Sequence, residues 1–392
     1  MNKTRRNAHC KLLVAALASA LLLTLAEASA ASGATSSLAH TKARALAHCH
    51  PAQPAGSGGF LGGFNNVCEI ASTVPANGDL NPYGVAVVPK SVGDLNVGAV
   101  LVSNFNNSHN LQGTGATIME ISPSGRASVF ANLADQTKSR VGLTTALSVF
   151  ADGYVVVGSL PTANGKADTA RAGALYVLNS DGRLVETISG AGINGPWDAA
   201  SYDGGGFGVI FVSNVLNGTV AAGGTVVHGG DVVRLVLDLT TSPPTVLQRT
   251  VIASGFAEKT DPNALVIGPT GLALGPNGTV YVADALANRI AAIPDALFRY
   301  TSAGTGTTVT SGSFLNGPLG LAQAPDGDLL GANGGNGQLV ETTLAGQQPE
   351  WPSVDSSGSP PGAGALFGLA VRPDGKGVYF VDDATNTLDL FS

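Results

Sequence analysis

Oxygen-bearing side chains recur at one kind of place along this chain. Short apolar runs end in Asn104, Asn214, Asp284, Asn333 and Asp382, and a further Asn often follows, at Asn107, Asn217, Asn288, Asn336 and Asn386. Short carboxamides and carboxylates at such places either cap the backbone of the next turn, as Asx turns do, or present oxygen to a hard cation or to sugar hydroxyls. Asp198, next to Trp197, adds one more carboxylate. His109 and His228 lie in long polar segments; with a carboxylate they could join a zinc site, whereas lone loop histidines are ordinarily solvated. His48-Cys49-His50 has the look of a metal clip, which oxidation of Cys49 would disable. Gly190-Ala191-Gly192-Ile193-Asn194-Gly195 matches the dinucleotide spacing G-x-G-x-x-G. It sits between two predicted strands and opens no helix, so that reading fails on context. The sequence contains no G-x-S-x-G nucleophile elbow and no phosphate loop.

The elements that position these residues repeat about every fifty residues, which is the signature of a repeat architecture. An apolar strand opens with Pro-x-Gly in Pro82-Tyr83-Gly84, Pro269-Thr270-Gly271 and Pro318-Leu319-Gly320, and with Leu366-Phe367-Gly368. Pro196-Trp197-Asp198 is a variant, and Leu143-Thr144-Thr145-Ala146-Leu147 a weaker one. Turns such as Pro276-Asn277-Gly278, Pro325-Asp326-Gly327, Pro373-Asp374-Gly375 and Asp152-Gly153 follow, and are expected to be two-residue hairpins with positive φ. A second apolar strand, a third, and a more polar fourth complete each unit. Four short antiparallel strands repeated around a circle make the blade of a propeller. The last unit stops after its third strand, Thr387 to Phe391; Cys68 to Val74 has strand composition and can supply the missing one, removing an exposed edge.

Gly268 to Ile290, with its Gly-Pro-Thr-Gly-Leu-Ala-Leu-Gly-Pro-Asn-Gly-Thr-Val-Tyr-Val-Ala-Asp core followed by Asn288-Arg289-Ile290, resembles an NHL repeat. The wider unit is similar to six-bladed propellers of the gluconolactonase and regucalcin type, over roughly Gly78 to Ser392. The resemblance implies an all-β, six-bladed β-propeller of four-stranded antiparallel blades, a fold that hosts hydrolases, lyases and binding modules alike. It also implies where a site would be: the inner strands line a channel, and the residues before them meet the loops after the second strands on one face. Lactonase-like relatives place acidic and amide calcium ligands just before the repeat's Gly. Those positions here are Tyr83, Thr144 or Thr145, Trp197, Thr270, Leu319 and Phe367, with only the neighbouring Asp198 acidic. A calcium ion needs six to eight oxygens, so no bound metal and no cofactor is expected there. Amidating-lyase relatives use histidines for zinc, and only His109 and His228 are available.

The remaining features concern location and partners. Lys3, Arg5, Arg6 and Lys11 precede an apolar run from Leu12 to Leu25, then the A-x-A sites Ala26-Glu27-Ala28 and Ala28-Ser29-Ala30. This reads as an export signal over 1–30; the run is short for a membrane span of ~20 residues, an uncleaved anchor being the alternative. Residues 31–66, rich in Ala, Ser and Gly, read as a flexible leader, and 67–392 as the propeller, in the periplasm or outside the cell. Cys10 falls in the discarded signal; Cys49 and Cys68 are then most simply a disulfide, with two free thiols the alternative. Loss of 1–30 removes four of 20 basic and one of 27 acidic residues, leaving a net charge of −10. Such a surface disfavours nucleic acid and anionic lipid. Long insertions, Phe105 to Gly115, Leu160 to Gly173 and Val215 to Gly230, cluster on three consecutive blades and suggest a rim over the channel mouth. The expected site is therefore that mouth, lined by Tyr83, Trp197, Asp198, Thr270 and Phe367 with Asn104, Asn214, Asp284, Asn333 and Asp382. Its expected partner is a small molecule, protein or peptide. The competing readings are a metal-dependent hydrolase or lyase using Asp198, Asp284, Asp382 and a loop histidine, and a purely structural interaction module.

Overall fold

A computed structural model of the chain describes residues 48–392; the expected signal over 1–30, with Cys10, and residues 31–47 of the expected leader lie outside the described residues. Six sheets form the blades of a propeller. Blade one comprises Leu80–Val87, Val100–Asn106, Thr117–Ile121 and Ala127–Asn132, and blade two Leu147–Val149, Val155–Ser159, Ala174–Leu178 and Leu184–Ser189. Blade three runs Pro196–Asp203, Phe207–Asn214, Val227–Asp238 and Thr245–Asp261, with Leu265–Ile267 paired to the end of its long outer strand. Blade four has Pro269–Leu274, Val280–Asp284, Arg289–Ile293 and Thr307–Ser311. Blade five has Pro318–Gln323, Leu329–Asn333 and Leu339–Thr342; blade six has Leu366–Val371, Val378–Asp382 and Thr387–Phe391. Asn66–Ser72 pairs antiparallel with Thr387–Phe391, so the N-terminal strand completes blade six and closes the ring as expected. Among the described residues no helix is long and apolar enough to cross a membrane.

The middle strands are apolar on both faces because each face meets a different neighbour. In Val100–Asn106, Val100 and Val102 pack against blade six while Leu101 packs against blade two. In Val155–Ser159, Val155 and Val157 face blade one and Val156 faces blade three. Strand side chains alternate, so a strand buried on both faces reads as a continuous apolar run.

The repeated Pro-x-Gly has a steric cause at the axis. A Cβ on Gly84, Gly271, Gly320 or Gly368 would collide with the carbonyl of Thr145, Leu319, Phe367 or Tyr83 on the next inner strand. The pairing register of each of these strands slips at the same place, between Pro82 and Val85 for example. Such a bulge re-aims side chains, here those of the residue before the Gly.

Three details differ from the sequence reading. The turns Asp152-Gly153, Asn277-Gly278 and Asp326-Gly327 are longer than two residues: Gly278 N–H donates to Gly275 O and Gly275 N–H to Thr279 O (2.9 and 2.8 Å). Only the glycine takes positive φ (75° at Gly278) while Asn277 caps the turn by accepting from Thr279 N–H, the geometry of a type I turn followed by a bulge. Blade five has no regular fourth strand. Residues 347–353 bond to Leu339, Glu341 and Thr343 irregularly, because Pro349 and Pro352 have no N–H to donate.

The third difference is the leader, which is structured from residue 48. Cys49–Pro51 adds a fifth strand to blade six, with Cys49 opposite Cys68 and disulfide-bonded to it. Residues 53–57 then cover the irregular edge of blade five, where Trp351 N–H donates to Ala55 O and Ser57 N–H to Pro349 O. Ala52 and Leu61 are buried in the core between blades five and six. The Gly-rich composition hid this because the contacts are mostly backbone bonds, which carry no side-chain period.

Candidate functional site

The inner strands enclose a central channel of about 430 Å3. The side chains lining it are mostly small and apolar, and among the described residues Asp198 is the one carboxylate there. Asp198 stands where four other blades have the crowded glycine. Its carboxylate turns that crowding into a tie, accepting from Ala199 N–H (2.8 Å) and, across to blade four, from Leu272 N–H (2.9 Å). Burial pushes its carboxyl up to about 7, although both hydrogen bonds favour the charged form.

Above Asp198 the channel is shut. Trp197 Nε1–H donates to Tyr83 Oη (2.8 Å), whose hydroxyl donates to Leu319 O (3.2 Å). Tyr83 lies edge-on to Trp197 (centroids 5.9 Å, 89°) and tilted on Phe367 (5.3 Å), and Phe105 closes the group edge-on to Phe367. Leu143, Leu160, Ala170, Val215, Leu265 and Val266 pack over these rings. The three long loops therefore do fold over the mouth, but the expected open aromatic mouth is corrected: Tyr83 and Trp197 are 1% and 3% exposed. Aromatic side chains gain most from burial, and the loops supply the apolar cover. Burial also holds the Tyr83 hydroxyl well above its usual range, with the Asp198 charge adding to it. Thr270 is spent on structure, its hydroxyl bonded to Ala283 O and Pro318 O. Phe105 was missed in sequence because it follows Asn104 in a segment that reads as polar loop.

The strand-end series does not converge on the channel. Asn104 Nδ2–H donates to Thr73 O, and Asn333 accepts from Asn316 N–H while donating to Phe314 O. Asn214 likewise accepts from Asn194 N–H. These carboxamides tie the blade-entry segment to the second strand, the capping role. Asp284 is held by Arg289 (2.9 Å) and Asp382 caps its own turn at Ala384 and Thr385. The histidine route is corrected as well: His109 and His228 are exposed and, among the described residues, join no cluster of metal-capable groups.

Three carboxyl-rich groups take shape only in the structure, although Asn214 and Asp382 were already among the expected site residues. In blade three, Asn214 Nδ2–H donates to Asp231 Oδ1 (3.0 Å) and Asn217 N–H to Glu258 Oε1 (3.0 Å), while Asn194 bonds Asn217. Glu258 is fully buried and its Oε2 has no partner. Burial pushes Asp231 up to about 6, and burial together with Asp231 pushes Glu258 up to about 8. In blade six, burial and the neighbouring Asp355 push Asp382 up, and burial chiefly pushes Asp389 to about 7. In blade five, Asp326, Asp328 and Glu341 bring carboxylate oxygens within 4.8 Å of one another. There Glu341 already accepts from Phe60 and Leu61 N–H of the leader (2.8 Å each). Among the described residues the ion pairs are Lys259–Asp261, Arg289–Asp284 and Arg372–Asp374, so none of these three groups has a cationic side chain to neutralise it.

No protein-family model matches the chain. No curated protein matches it in sequence. Solved structures do match in fold. A gluconolactonase from Xanthomonas campestris superposes with TM-score 0.57 at 14% identity, over 88% of this chain and 96% of that one. A streptogramin B lyase matches with TM-score 0.50 at 14% identity (83% and 97%), and the calcium-binding protein regucalcin from Agrobacterium tumefaciens with 0.50 at 13% (82% and 94%). At such identities the likeness establishes the six-bladed fold alone.

Proposed function

We propose that the chain is an exported, divalent-cation-dependent hydrolase or lyase built on a lactonase-like propeller, with its cation held in blade three. The axial calcium position implied by the resemblance does not fit: Tyr83, Trp197, Phe367 and Leu319 fill it with a buried apolar cluster. The observation that carries the proposal is Glu258, a fully buried carboxyl with one oxygen bonded to the Asn217 backbone N–H and the other unpartnered, close to Asp231, which the Asn214 and Asn217 carboxamides contact. A buried carboxylate without a counter-charge is costly, and an all-oxygen donor set is what hard cations take. Asp231 and Glu258 would hold the ion, while Asn214 and Asn217, whose carboxamide oxygens already accept from Asn194, would hold Asp231 in place through their N–H groups. Bound there, a cation would act as a Lewis acid on a carbonyl oxygen. Asp231 and Glu258 would orient it, and the 215–226 segment would limit water at the loop-rich face. The structural likeness to a gluconolactonase and a lyase supports this reaction class, and the Cys49–Cys68 bridge supports an oxidising compartment.

The sealed mouth favours a second reading, a non-catalytic propeller that binds a small ligand or partner. Metal analysis and calorimetric titration with Ca2+, followed by a panel of lactones with and without chelator, separate the two. The proposal expects one stoichiometric divalent ion, a Kd weakened more than about tenfold in Glu258→Gln or Asp231→Asn, and chelator-sensitive turnover. A chain that neither contains nor binds Ca2+, Mg2+ or Mn2+ overturns it. Metal binding without turnover leaves the binding propeller.

A further inference from the structure

Alongside five acidic side chains, Asp135, Asp152, Asp168, Asp181 and Glu186, blade two and its loops carry five basic ones, Lys138, Arg140, Lys166, Arg171 and Arg183. Two of them, Arg140 and Arg171, line one hollow of about 540 Å3 in which no carboxylate takes part. Neither belongs to an ion pair among the described residues. Arg171 donates only to carbonyls of its own loop, Ala170 O at 2.8 Å foremost, and Arg140 has no hydrogen-bond partner among the described residues. A guanidinium carries five donors in a rigid fork, so both keep most of theirs unspent.

The floor of the hollow is built by the two outer strands of blade two. Tyr176 pairs with Thr187, and Ala174 with Ser189, in the antiparallel register. Directly opposite residues share a face, as do residues two apart, so Tyr176, Thr187 and Ser189 stand on one face of the sheet and all line the hollow. Tyr176 is 2% exposed, its ring packed in the core between blades one and two, yet it lines the hollow. None of the three hydroxyls has a partner among the described residues. The small side chain of Ala174 leaves the space above them. Both guanidiniums are exposed at the hollow, and a forked donor matches carboxylate or phosphate.

We propose that this hollow is a binding site for a small hydroxylated organic anion, its carboxylate or phosphate on Arg140 and Arg171 and its hydroxyls on Tyr176, Thr187 and Ser189. The site uses none of the blade-three residues and stands whether or not a cation binds there. Galacturonate and glucose 6-phosphate, titrated calorimetrically into the full disulfide-bonded chain at low salt, distinguish the two anion types, with neutral glucose as control. One of the anions binds, more weakly as salt rises, and Arg140→Gln or Arg171→Gln each weakens it about tenfold or more. Tyr176→Phe, which keeps the buried ring, weakens it a few-fold with an unchanged thermal midpoint, and Glu258→Gln has no effect. Equal binding of glucose, unchanged anion binding in the double arginine variant, or no binding of either anion up to about 10 mM each overturns the assignment.

Discussion

Asp198→Asn should flatten the dependence of stability on pH without abolishing folding. The Asp198 carboxyl lines the channel and burial raises it from 3.8 to about 7. A folded-state value above the unfolded one means that the native state holds the proton longer. Its stabilisation is complete below the unfolded value and is lost as pH rises through the folded one. Integrating the proton linkage between pH 5 and pH 8 for that pair of values gives a loss of about 2.5 kcal/mol. The variant carries no such group, so the wild type should lose roughly that much more than the variant over this interval. The carboxamide that replaces the carboxylate also turns an N–H toward either Ala199 N–H or Leu272 N–H, a constant penalty of about 1–3 kcal/mol at every pH. The slope, not the offset, is therefore the readout. Urea unfolding at 25 °C, at several pH values, measures both. Identical slopes for wild type and variant would show that Asp198 ionises as a solvated carboxyl does, and would refute the reasoning.

Further predictions concern packing. Trp197→Ala removes a buried ring and the hydrogen bond it donates to Tyr83 Oη, so it should cost about 3–5 kcal/mol; an exposed mouth residue would cost far less, and denaturant midpoints decide. Leu61→Ala, in the segment read from sequence as leader, should cost about 2–4 kcal/mol, whereas a flexible leader would show no change in the same assay. Removing residues 48–72 should lower the thermal midpoint of the whole domain, because it strips the closing strand from Thr387–Phe391 and exposes an edge; an unaltered melt would refute ring closure by that strand.

The repeat and the closure of the ring are written in the linear order of the residues. Pro-x-Gly, the Asn-Gly and Asp-Gly turns and the doubly apolar middle strands are local signals. Each has a cause inside one blade or at the contact with the next, so each recurs visibly at fixed spacing. The unfinished last unit and the strand-like Cys68 to Val74 were legible for the same reason. Tyr83, Trp197 and Phe367 could be placed on one face from the repeat alone. That they interlock and are sealed by Phe105, Leu160 and Val215 could not, since it depends on how three irregular loops fold. The order of the 48–66 segment rests on backbone bonds to blades five and six, which are indifferent to side-chain type. Asp231 and Glu258 come from neighbouring strands of blade three, and Arg140 and Arg171 from two separate loops that line one hollow. Nothing in a linear pattern sets those distances: only tertiary packing brings the charges together, and burial then raises Asp231 and Glu258.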